Sequence, residues 1–279
     1  MPHAILSAFT RFSATQSTNQ RSMRISQHRE LCALLLAVLI VGGCSSDELP
    51  SSAESKVARI ERVAIDPTTT GSINLVIKLE GPPPERRELD LGREPNCLHG
   101  GPVLSEFVVA NETGQLANVL VRLTKGQENW KVPAHPNPEA HIKQLGCTYR
   151  PHVLAYQLGT ELIISNDDDL LHNVHLLPRL NPSSNIVQAP GAGELRVDFH
   201  RAELSIPVQC DLHPWMGAWI HVLDHPWFDV TDANGQAQIE AIPPGTYELE
   251  ILHEKYGRQT VDCNVASNET TQLQLSFTP

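Results

Sequence analysis

The chain has 279 residues, enough for one large or two small domains, and carries 32 acidic against 21 basic side chains for a formal charge of −11. Such an excess of carboxylates repels phosphate backbones and argues against a nucleic-acid partner. Its 21 Pro, 17 Gly and frequent short apolar runs point to strands joined by many turns, not to a helical fold.

Leu31 to Val41 is a short apolar run behind Arg24 and Arg29. It is too short to span a bilayer as a helix and fits the core of a signal peptide. It ends in Val41-Gly42-Gly43-Cys44, which resembles a bacterial lipoprotein cleavage box. That resemblance implies a signal segment over residues 1–43 and lipidation of Cys44; an ordinary signal peptide with an incidental Cys is the alternative. The polar stretch Met1 to Ser22 is a poor n-region, so translation is expected to start at Met23. Loss of residues 1–43 removes four Arg and one Glu, leaving 17 bases against 31 acids and a charge of −14. Residues 44–70 have little apolar periodicity and are expected to form a lipidated, flexible tether.

Gly71 to Leu79 alternates Ile73, Leu75, Ile77 and Leu79, the pattern of a half-buried strand. Gly81-Pro82-Pro83-Pro84 ends it. Leu116 to Leu123 carries a second strand, with Val119, Val121 and Leu123 on one face. A charged, turn-rich segment containing Cys97 lies between them. After Lys125 the chain is irregular, and His135 and His141 read as solvated loop residues more than as ligands. Further strands are expected at His152 to Ala155, Gly159 to Ser165, Leu171 to Leu176, Leu195 to Phe199, Leu204 to Cys210 and Ala218 to Leu223. Asn166-Asp167-Asp168-Asp169 is a turn whose acids either steer a cationic partner or serve turn chemistry alone. From Phe228 the character changes. Asn234-Gly235 is a hairpin signal. Ala237, Ile239 and Ala241 alternate, Pro243-Pro244-Gly245 turns, and Tyr247, Leu249 and Ile251 alternate again. Val261 to Val265 and Leu273 to Phe277 complete the set.

Two motifs carry chemistry. Cys210-x-x-His213-x-x-Met216 brings a thiol, an imidazole and a thioether together, and Leu171-His172-Asn173-Val174-His175 lies upstream. Thiolate and thioether suit Cu(I), and imidazole suits both oxidation states of copper. Zinc more usually takes Cys and His alone. The plainer alternative makes Cys210 and Met216 core residues and His213 a turn residue. His172 and His175 are an odd number apart, so on a regular strand only one of them faces a given site.

At these residues the chain resembles the cupredoxin family, and within it the amicyanin type with its short His-to-Met spacing. The resemblance implies one type 1 copper ion, with His172, Cys210 and His213 as ligands and Met216 as the axial one. Asn173 would tie the ligand loops together, and His175 would be left as a surface or core residue. One departure is Leu212, which stands where the amicyanin loop has Pro and keeps a backbone N–H. The implied function is one-electron transfer. Pro214 and Trp215 would form an apolar rim around His213 for a c-type cytochrome or another envelope redox protein; packing of Trp215 inside the fold is the alternative. A copper carrier or sensor without redox duty would use the same ligands. A structural or adhesion lipoprotein with a vestigial copper fold is a third reading. An enzyme is not expected, since no nucleophile triad or further copper cluster is evident.

The run from Asp232 to Tyr247 resembles the carboxypeptidase regulatory-like domain, a transthyretin-like or Ig-like β-sandwich. That family usually begins with strands like Gly71 to Leu79 and Ala117 to Leu123. The two resemblances together imply an all-β chain. A cupredoxin-like Greek-key β-sandwich, residues 140–224, is then inserted in a second sandwich made of residues 71–130 plus 225–279. A tandem order is the alternative.

The cysteines divide accordingly. Cys32 leaves with the signal, Cys44 takes lipid and Cys210 takes metal. Cys97 and Cys147 remain, and an exported chain permits a disulfide between them. A second metal site of Cys97, His99, Cys147 and His152 is the alternative. Cys263 is in phase with Val261 and Val265 and is expected in a core. The expected address is the bacterial cell envelope, lipid-anchored on the periplasmic or cell-surface side.

Overall fold

The computed structural model describes residues 61–92, 94–98, 101–134 and 139–279. The signal segment, the start at Met23, lipidation of Cys44 and most of the tether lie outside the described residues, as do His99 and His135.

In chain order the strands are β1 (Gly71–Leu79), β2 (Leu120–Lys125), β3 (Glu139–Gln144), β4 (Tyr149–Arg150), β5 (Val153–Gln157), β6 (Glu161–Asn166), β7 (His172–Leu176) and β8 (Ser184–Gln188). They continue as β9 (Leu195–Val197), β10 (Glu203–Gln209), β11 (Gly217–Leu223), β12 (Phe228–Val230), β13 (Gln236–Ile242), β14 (Gly245–His253), β15 (Gly257–Val265) and β16 (Thr270–Phe277). Among the described residues the only helical turns are two short 3-10 segments, Pro95–Leu98 and Gln127–Asn129. The chain is all-β.

The strands form four sheets around two apolar cores. In the first lobe, the sheet β13-β1-β16 and the sheet β12-β2-β14-β15 share one core. β1 is central there. Its inward residues Ile73, Leu75, Ile77 and Leu79 are buried while their neighbours are partly exposed. Each such side chain contributes roughly 1.5–3 kcal/mol on burial. β1 pairs antiparallel with β13 and parallel with β16, so the first and last strands of the described chain lie side by side. The Asn234-Gly235 turn packs tightly against β1. A Cβ on Gly235 would lie 2.4 Å from the Ile77 carbonyl oxygen, and its φ of +65° favours glycine.

In the second lobe, β5-β11-β10-β7-β8 and β4-β3-β6-β9 share the other core. β10 pairs antiparallel with both β11 and β7, which sets the ends of three strands beside one another. The first core draws on residues before β3 and after β11, and the second on the strands between them. The segment between β1 and β2 does not follow the first lobe throughout. Leu89, Leu91, Cys97 and Val103 pack on the second core, so the expected 71–130 grouping divides there. Cys97 and Cys147 are joined in a disulfide 50 residues apart in sequence. Closing a loop of that length stabilises by about 4 kcal/mol in chain-entropy terms. The alternative metal site on these two cysteines is thereby removed.

Among the strands that differ from expectation, three do so for identifiable reasons. β3 turns the supposed loop residue His141 into an exposed strand residue between buried Ala140 and Ile142. Its alternation contains one strong apolar residue, which is too little to stand out. β8 is a sheet edge with Asn185, Ile186 and Val187 exposed, so it lacks a buried stripe. The strand expected from Leu116 begins at Leu120, because Asn118 takes a φ of 63° that interrupts the extended chain.

The lobes meet at His152. One ring nitrogen bonds the Gly217 carbonyl at 3.1 Å, and the other meets the Glu254 carboxylate at 2.5 Å. Trp219 donates its indole N–H to the second oxygen of Glu254 at 2.7 Å. Burial pulls the His152 pKa down, but the Glu254 carboxylate and the Gly217 carbonyl hold it above its ordinary value. A raised histidine stabilises fully below its unfolded pKa of about 6.5 and loses that contribution as pH rises through the folded value. Urea unfolding at stepped pH should therefore show wild type exceeding His152→Gln by most near pH 5.5, with the gap shrinking above neutrality. A gap that widens with pH would contradict the assignment.

Candidate metal centre

β7 begins at His172, and the turn between β10 and β11 runs from Cys210 to Met216. That turn is closed on itself. The Cys210 N–H donates to the Met216 carbonyl at 3.3 Å, and the Met216 N–H to the His213 carbonyl at 2.9 Å. Since β7 pairs with β10 through Gln209 and His175, the start of one strand lies against the end of the other.

One ring nitrogen of His172, one of His213 and the Cys210 sulfur lie within 4.8 Å of one another, and all three residues are buried. The two Nδ1 atoms face each other at 2.9 Å, and the Cys210 sulfur lies 3.7 Å from His213 Nδ1. The rings meet edge-on with centroids 4.8 Å apart. Met216 is buried in the same apolar cluster as Cys210. Two imidazole nitrogens and a thiol brought to one buried point are a donor set that fits a soft or borderline metal ion. Of the residues singled out in the sequence, His172, Cys210 and His213 converge, and Met216 closes their loop. His175 does not join them; it is part-exposed and bonds the Asp211 carboxylate at 3.0 Å.

Asn173 ties the two segments together. Its Oδ1 accepts the Cys210 S–H at 3.3 Å and the backbone N–H groups of Asp211 at 2.7 Å and Leu212 at 3.3 Å. The Leu212 N–H, absent in a chain with Pro there, is thus used. Asn173 Nδ2 donates to Asn185 on β8, and Asn185 donates to Asp211, both at 2.6 Å. Tyr149 adds a second tie, donating its hydroxyl to the carbonyls of Asn173 at 2.6 Å and Gln209 at 3.0 Å. Asp168 accepts from His172 Nε2 at 3.0 Å.

The protonation tendencies are mixed. Burial pulls His172 down, but its hydrogen bonds to Cys210 and Asp168 hold it above its ordinary value, which works against metal capture, while the other two donors favour it. Burial pushes the Cys210 thiol up, but the His172 hydrogen bond and N–H groups of the loop bring it below its ordinary value. Burial and the neighbouring His172 keep His213 below its own, so it is neutral near pH 7. Ligands that deprotonate readily bind metal more tightly at neutral pH.

Trp215 is partly buried against the second core, donates its N–H to the Cys147 carbonyl at 3.2 Å, and packs its ring 5.1 Å from that of His213. The exposed apolar surface beside the cluster comes from Pro214, Leu212 and Leu171 instead. Tyr149, Asp168 and Asn185 were not anticipated. Asp168 stands four residues before His172, a spacing that was legible; nothing in the sequence marks Tyr149 or Asn185.

Fold and site define an all-β chain of paired sandwiches with a buried His-Cys-His cluster. No family model matches it, and no curated protein does. Solved structures similar to part of it include a purple cupredoxin from Nitrosopumilus maritimus, at 20% identity over 30% of this chain and 98% of the other, with a TM-score of 0.26. Another is a copper-containing nitrite reductase from Thermus scotoductus SA-01, at 18% identity over 36% of this chain and 25% of the other, with a TM-score of 0.26. A third is an oxidised amicyanin variant, at 17% identity over 30% of this chain and 82% of the other, with a TM-score of 0.27. Likenesses this remote carry no argument about function.

Tyr149→Phe should leave the Asn173 and Gln209 carbonyls without their shared buried donor. The expected loss is about 1–3 kcal/mol, read as a lower urea midpoint with unchanged slope. An unchanged midpoint would show that the hydroxyl does not tie the segments.

Proposed function

We propose that this chain binds a single copper ion that His172, Cys210 and His213 would hold, with Met216 as a further ligand, and passes one electron at a time. The observation that carries the proposal is the convergence of two imidazoles and one thiol, from two separate segments, on one buried point. Copper held there would supply a one-electron couple. The chain's own part is to keep the donors fixed, so that little moves when the charge changes. Asn173 and Tyr149 supply that rigidity, each bonding both segments.

The same features weigh against a carrier that hands copper over. His172 and Cys210 are almost fully buried, so an acceptor ligand has no approach to them. The proposed electron route is through His213, whose neighbours Leu212, Pro214 and Leu171 offer an apolar surface. The Asp211 carboxylate next to it, held below the usual range by His175 and Asn185, stays charged and favours a basic partner. A c-type cytochrome or other redox protein of the bacterial envelope, met by a lipid-anchored chain, is the proposed context. The proposed role is carriage of electrons and not turnover of a substrate.

The test is to load the fragment beginning at Ser45 with Cu(II) and compare its visible spectrum with that of Cys210→Ser. An intense blue or violet band, abolished in the variant, is expected. A colourless wild type would overturn the proposal. Copper transfer to a chelator that outpaces electron exchange with a c-type cytochrome would replace it with the carrier.

A further inference from the structure

The backbone of Cys147, one half of the Cys97–Cys147 disulfide, is linked through one side chain to each imidazole of the cluster. Cys147 belongs to the turn between β3 and β4, where Gly146 and Cys147 take left-handed φ values of 65° and 54°. That conformation is uncommon for a residue other than glycine and persists only where the surroundings impose it. It turns two successive N–H groups toward one carboxylate. Gly146 donates to Asp168 Oδ1 at 2.7 Å and Cys147 to Asp168 Oδ2 at 2.9 Å. The same Oδ2 accepts from His172 Nε2 at 3.0 Å. On its other side, the Cys147 carbonyl accepts the Trp215 indole N–H, and that ring packs on His213. One residue's backbone therefore supports His172 through Asp168 and His213 through Trp215. Its side chain is covalently held by Cys97, from a segment outside the strands of this lobe.

We propose that the Cys97–Cys147 disulfide is a positioning element for the metal centre, fixing the Cys147 backbone so that Asp168 and Trp215 hold the two imidazoles in register. A bridge that only stabilised the fold could sit anywhere on it. This one is separated from each imidazole by a single side chain. Groups that orient a ligand imidazole from behind typically change metal affinity 10–100-fold when removed. The proposal rests on reading the cluster as a metal centre only for its metal readout. The orientation of His172 can be followed without metal.

The experiment compares wild type, Cys97→Ala/Cys147→Ala and Asp168→Asn. Removal of both cysteines leaves no stray thiol beside Asp168 and His172. In the metal-free proteins, proton NMR would follow exchange of the His172 Nε2–H with water. This proton should exchange at least 10-fold faster in both variants. The Trp215 indole proton should change only in the double-alanine variant. Cu(II) affinity should fall about 10–100-fold in both, with the Cys210 charge-transfer band retained but shifted. A folded double-alanine variant that melts earlier yet keeps wild-type exchange and copper affinity would reduce the bridge to a structural staple and overturn the proposal. If that variant does not fold, unchanged His172 exchange in Asp168→Asn would overturn it equally. A wild type that binds no copper would defeat the metal reading, while the exchange comparison would still decide the positioning role.

Discussion

Holding two imidazoles and a thiol at one point inside an apolar core is the constraint on which the structure turns. Unpaired polar groups in such a place cost several kcal/mol each. Their neighbours offset this through hydrogen bonds that also fix direction. Asn173 accepts three times from the Cys210 segment, and Tyr149 donates into both strands that carry the cluster. Besides these ties, β7 and the chain entering the 210–216 loop are joined by two strand pairings and by the His175–Asp211 and His172–His213 contacts. The β-sandwich supplies the frame, and a handful of polar side chains sets the aim.

The first lobe contacts the second through Glu254. Its central strand β1 lies between β13 and β16, so residues from both ends of the described chain close one core. The second lobe is thereby held at both of its ends. Glu254, at the end of the β14 strand of the first lobe, reaches His152 and Trp219 of the second.

Much of the fold was readable in the sequence where one face of a strand is uniformly apolar. β1 is of that kind, with Ile73, Leu75, Ile77 and Leu79 inward at alternate positions, and β14 largely so through Tyr247, Leu249 and Ile251. β3 and β8 escaped because burial there falls on Ala and Gln around a single Ile, or on no middle residue at all. The cluster itself was readable through residue chemistry: Cys, His and Met at short spacing have few shared uses. Its supports were not. Asp168 sat in an acidic run that also reads as turn chemistry, and Tyr149 acts through backbone carbonyls 24 and 60 residues away, which no local pattern encodes. Trp215 shows the same limit in reverse. Its position in the loop suggested a surface role, and the carbonyl of Cys147 draws it inward.

The most direct measurement is X-ray absorption at the copper edge, on the loaded protein in its oxidised and reduced forms. The account predicts one short copper–sulfur bond and two copper–nitrogen bonds in both, with only slight lengthening on reduction. A shell of oxygen and nitrogen without the short sulfur, or a ligand lost between the two forms, would contradict it.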